Sequence, residues 1–166
     1  MISRIVLAVV LLLPAMSLAQ TAVTCPLRNG ETELTINRVM RNFGKYFADA
    51  ETVARKIGDP WDKVTDQDLQ KGIDGLNISI ACADAVVAKP TDAVMPTKGS
   101  LMDEKARAEL NEYYIYFMSD FKDALIEYRD LLVKTLATPE AQRDYAAIVT
   151  KNDEVNQKVT HAHKKL

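Results

Sequence analysis

Between Ile36 and Ile57 the apolar residues Ile36, Met40, Phe43, Phe47, Ala50, Ala54 and Ile57 recur at alternating steps of four and three. Only an α-helix brings such positions onto one face, so this stretch must bury one side of a helix. The spacing predicts a first helix from about Glu31 to Ile57, stopped by Gly58-Asp59-Pro60. Thr65, with Asp68 three residues on, has the form of a capping box. It opens a second helix striped by Leu69, Ile73, Leu76, Ile80, Ala83 and Val87 and closed by Pro90. Gly72 and Gly75 each cost about 1 kcal/mol against alanine inside a helix. They mark either a close contact or weak first turns. A loop from Lys89 to Ser100 follows, and Ser100 with Asp103 caps a third helix. Its stripe is Ala106, Leu110, Tyr114, Phe117, Phe121, Ala124, Tyr128 and Leu131 or Leu132. Thr138-Pro139 opens a fourth helix, with proline at the first helical position and Ala141, Ile148, Val155 and Val159 as its apolar line. No segment alternates with the period of two that a strand needs. Four amphipathic helices with short connections predict an all-α fold, an antiparallel up-down-up-down four-helix bundle. Trp61 is expected as a lid on the bundle end, and the tyrosines 113, 114, 116 and 128 as core and boundary packing.

The first residues read as an export signal. Arg4 precedes nine apolar residues, Ile5 to Leu13, and Ser17 and Ala19 stand at −3 and −1 of a cut before Gln20. Nine helical residues span about 14 Å, too short for a bilayer. Residues 1–19 are therefore expected as a signal peptide and 20–166 as one bundle domain, with no membrane span in the mature chain. The compartment this implies is the periplasm, where disulfides form. Cys25 and Cys82 are the only cysteines. Cys82 lies about 140° from the core stripe of the second helix, beside Ile78 and Ala85. That patch needs a cover. Laying Cys25-Pro26-Leu27 on it would bury Leu27 and join the two sulfurs in a disulfide.

Composition works by exclusion. Lys and Arg number 21 against 23 Asp and Glu, a net charge of −2. No basic surplus exists for phosphates, which argues against nucleic acid as a partner. Two cysteines cannot make a four-cysteine zinc site. A glycine-rich phosphate loop, Gly-x-Ser-x-Gly, Cys-x-x-Cys-His and Glu-x-x-His are all missing. No nucleophile has a base beside it, so no enzyme is expected.

Met40 and two histidines carry what chemistry there is. Met40 stands on the first stripe, one turn before Phe43. His161 and His163 end the fourth helix, and His163 falls about 60° from the Val155–Val159 line with His161 on the other side. First and last helices are neighbours in such a bundle, so a thioether and an imidazole can meet one haem iron from opposite faces. Met40-x-x-Phe43-x-x-x-Phe47, the ending Val159-Thr-His161-Ala-His163-Lys-Lys-Leu, and the pair Phe117 and Phe121 together resemble the cytochrome b562 family. Members are exported four-helix bundles holding haem b without covalent attachment. The resemblance implies Met40 and His163 as axial metal ligands, with His161 as the alternative to His163. It implies Phe43, Phe47, Phe117 and Phe121 around the haem, and electron transfer with a periplasmic redox partner. The chain departs from the family in its length, its two cysteines and a polar Asn152 on the fourth stripe. The competing expectation is a haem-free periplasmic bundle acting as a binding or stress-response protein. Both predict a monomer or weak dimer, since four stripes can bury one another.

Overall fold

The computed structural model describes residues 22–32, 34, 36–88 and 104–163. The expected signal peptide, the expected Pro90 stop and the expected Ser100 cap lie outside these residues. Among them are four α-helices and no strand: α1 (Ile36–Gly58), α2 (Asp66–Val87), α3 (Glu104–Ala137) and α4 (Tyr145–His163). Close backbone approach joins α1 to α2, α2 to α3, α3 to α4 and α4 back to α1, and neither diagonal pair. This ring is the antiparallel up-down-up-down bundle that four apolar stripes require. No helix among the described residues is long and apolar enough to cross a membrane.

On α1 the expected stripe is buried at Phe43, Phe47, Ala50 and Ala54, and Val39 and Val53 join it. α2 is buried on a wider arc, including Gly72, Gly75, Ser79, Cys82 and Val86 beside its stripe. The reason is close approach. A Cβ on Gly75 would collide with the Tyr46 carbonyl oxygen, and one on Gly72 would come within 2.9 Å of Leu132 Cδ1. Glycine here removes the side chain that would hold α1 and α2 apart.

The capping box of α2 is formed. Thr65 Oγ1 accepts from the Asp68 N–H at 3.2 Å, and Asp68 accepts from the Thr65 N–H at 2.9 Å. Lys56 of α1 donates to the same carboxylate at 2.9 Å. The Lys56 bond foremost, then the Thr65 N–H, holds Asp68 down at about 2. The stability this adds is complete above the ordinary carboxylate pKa and is lost as pH falls through about 2.

Three expectations are corrected. The first helix begins at Ile36, not Glu31. Gly30, at φ +87°, turns the chain, and the Glu31 carboxylate accepts from the Arg28 N–H and from both ends of the Arg38 guanidinium. Thr138-Pro139 opens only a single 3-10 turn, Glu140–Gln142, and α4 starts at Tyr145. Arg143 between them is extended. Its guanidinium takes up the carbonyls of Leu136 and Thr138 at the end of α3 and pairs with Asp66 of α2 at 2.7 Å. Ala141 is consequently exposed and not on the apolar line. Trp61 is no lid. It is 92% exposed, in a turn where Asp59 Oδ1 accepts its N–H.

Gly75→Ala should lower stability by about 2 kcal/mol despite the better helix propensity of alanine, because overpacking outweighs it. Urea unfolding checks this, and Gly58→Ala, where nothing lies near the added carbon, serves as the neutral comparison.

Candidate functional site

Tyr128 of α3 is 0% exposed, and its hydroxyl needs partners. It donates to the Ala50 carbonyl of α1 at 3.2 Å and lies 3.5 Å from Asn152 Oδ1 of α4. The polar Asn152 on the α4 stripe thus meets a buried group. Burial, with the charges of Glu51 and Asp153 behind it, pushes the phenol pKa well up, so it stays a neutral donor. One side chain sets Ala50, Tyr128 and Asn152 at a common height. Ion pairs Lys151–Glu127 at 3.0 Å and Lys158–Asp120 at 2.6 Å continue the same register between α3 and α4.

From Tyr128 a chain of rings runs toward the start of α1. Phe47 meets Tyr128 at 6.4 Å and Phe43 at 5.4 Å, between ring centroids. Phe43 meets Phe121 edge-on at 4.7 Å, linking α1 to α3 across the bundle. Phe117 stacks on Phe121 at 5.2 Å, and Tyr113 on Phe117 at 6.5 Å. All four expected phenylalanines therefore belong to one cluster. Phe43, Phe47 and Phe121 are buried and Phe117 is half-buried.

Met40 is half-buried against this core. It precedes Glu51 by eleven residues, which returns it to within about 20° of the same helix phase. Glu51 lines a groove between α1 and α4 with Val149, Asn152 and Asp153, so Met40 lies on the α4 side of α1. Ten residues separate Met40 from Ala50, a rise of about 15 Å. The same rise along α4 from Asn152 ends in its last turn, which carries both histidines. His163 is the last residue of α4, and its side chain lies outside the described residues. His161 is exposed at the rim of a groove of about 600 Å³ between α3 and α4. Tyr113, Tyr116, Phe117 and Lys158 form its walls. Tyr116, read from sequence as packing, is 75% exposed. The groove was signalled by Tyr113 and Asp120, which flank the stripe residue Phe117 on one side of α3.

Cys25 and Cys82 stand at disulfide-bond distance, with sulfurs 2.01 Å apart, and Cys82 is fully buried. The N-terminal segment reaches α1 as well: Asn42 Nδ2 donates to the Pro26 carbonyl at 2.6 Å. Leu27, expected to be buried, is 47% exposed. With Pro26 held by Asn42, the chain turns Leu27 outward, and Leu34 packs against the core instead. A bond closing this 57-residue separation stabilises by about 4 kcal/mol on chain entropy.

Comparison with protein-family models, with curated proteins and with solved structures finds no match.

Tyr128→Phe should cost about 1–2 kcal/mol, since it strips the Ala50–Asn152 connection and leaves the buried carboxamide without its phenol. Thermal unfolding followed by circular dichroism measures this, with Tyr116→Phe expected to change nothing.

Proposed function

We propose that this chain is an exported electron carrier that binds haem b without covalent attachment, similar to the cytochrome b562 family. The observation that supports it is a coincidence of height. Met40 and the last turn of α4 lie the same distance from the Tyr128 level, with Phe43, Phe47 and Phe121 between that level and theirs and Phe117 about level with Met40. The donor set fits the group: a thioether on the α4 side of α1, and an imidazole, His163 or else His161, on the neighbouring helix. When bound, haem supplies a one-electron couple, which a thioether ligand shifts to higher potential. Phe43, Phe47, Phe117 and Phe121 offer an apolar wall that excludes water. Met40 and His163 would together hold the iron, and a group held by two side chains of the protein would pass electrons without binding substrate. The role is that of a carrier serving a periplasmic redox partner, not an enzyme.

One observation favours the second reading, a haem-free periplasmic bundle with a binding or stress-response role. The direct contact of Phe43 with Phe121 already closes the bundle centre in that layer.

Titrating the mature chain with hemin separates the two. We expect a low-spin Soret band, with split α and β bands on reduction. Met40→Ala and His163→Ala should each lose the low-spin form, and His161→Ala should keep it. No spectral change in the wild type, or one indifferent to Met40→Ala, would remove the haem reading.

A further inference from the structure

We propose that the Cys25–Cys82 bond is a thiol-controlled clamp on the Met40 end of α1, so that its reduction loosens the first turns of α1 and weakens haem binding. The haem half of this rests on the function proposed above. The clamp itself rests on contacts. The N-terminal segment is joined to α2 through the sulfur pair and to α1 through Asn42, whose Nδ2 meets the Pro26 carbonyl at 2.6 Å and Cys25 Sγ at 3.5 Å. Asn42 is only 7% exposed and sits between Val39, Met40 and Phe43 on the second turn of α1.

Val39 and Phe43 pack this end of α1 into the core, and the N-terminal segment adds its polar ties. The first turn of α1 carries no acidic residue to favour the helix dipole. Among the described residues, a second tie from the segment is the half-buried, two-point ion pair of Glu31 with Arg38, which fixes the chain just before α1 but does not supply the Asn42 acceptor. If the segment leaves, the Asn42 carboxamide loses its acceptor on a buried face, and water or unfolding of the first turns must satisfy it. Met40 lies within those turns.

The two sulfurs differ in access. Cys82 is 0% exposed, whereas Cys25 is half-buried. A dithiol reductant therefore attacks Cys25 Sγ with one thiolate. The S–S bond breaks, a mixed disulfide forms on Cys25, and Cys82 departs as a thiolate that takes up a proton. The reductant's second thiolate then attacks its own sulfur of the mixed disulfide. This closes the reductant's disulfide and releases Cys25, which is protonated to a thiol. Two electrons pass from the dithiol to the protein.

The test compares the oxidised mature chain with the double variant Cys25→Ser, Cys82→Ser, first without ligand and then with hemin. Amide hydrogen exchange at Val39–Phe43 should accelerate roughly tenfold or more, while Leu125–Leu132 of α3 changes far less. Hemin affinity should fall roughly tenfold or more. Asn42→Ala, which leaves the sulfur bond intact, should accelerate the same amides. Exchange unchanged at Val39–Phe43, or accelerated equally in every helix, would overturn the clamp. If the oxidised chain takes up no hemin, the proposed function fails, and exchange alone judges the clamp: local acceleration supports it and its absence overturns it.

Discussion

A phenol at 0% exposure has to spend its hydrogen bond inside the protein, and Tyr128 spends it on the backbone of α1 with Asn152 of α4 alongside. Leaving such a group unmade costs more than the bond gains, so this contact constrains heights more firmly than apolar packing does. An apolar stripe can slide by one turn and still be buried. A hydroxyl that must find one carbonyl cannot. The heights of Met40 on α1, Phe121 on α3 and the last turn of α4 all follow from that level.

The opposite side of the bundle is held differently. Gly72 and Gly75 let the backbones of α1 and α2 meet, and the cysteine pair lays the N-terminal segment over the outer arc of α2. Among its described residues α4 is fastened by side chains instead, Asn152 to Tyr128, Lys151 to Glu127 and Lys158 to Asp120. It contributes Ile148, Asn152 and Val155 to the buried interior, and its entry is secured by Arg143 against α3 and α2. α1 and α2 thus meet backbone to backbone while α4 is held through side chains, and the candidate ligands Met40 and His163 belong to α1 and α4.

Much of this was legible in sequence because it depends on local period. The stripes of α1 and α2 and the Thr65–Asp68 cap follow from spacing alone, and the wheel position of Cys82 was enough to call for a cover. The misreadings have tertiary causes. Glu31 is a good helix former, yet Arg38 draws its carboxylate into a turn. Pro139 fits a helix start, yet Arg143 is needed to finish α3 and stays extended. Leu27 looks like core, but Asn42 holds the residue before it. Asn42 carried a further signal: a carboxamide beside Val39 and Phe43 on a burying face demands a partner, and the Pro26 carbonyl of the N-terminal segment is the one it meets.

Proton NMR of the ferrous, hemin-loaded protein tests most directly whether the Tyr128 register brings Met40 to a ligand on α4. The account predicts one methionine methyl resonance shifted far upfield by the macrocycle's ring current, lost in Met40→Ala and retained in Met118→Leu. An upfield methyl that survives Met40→Ala, or none in a protein that has taken up hemin, would contradict it.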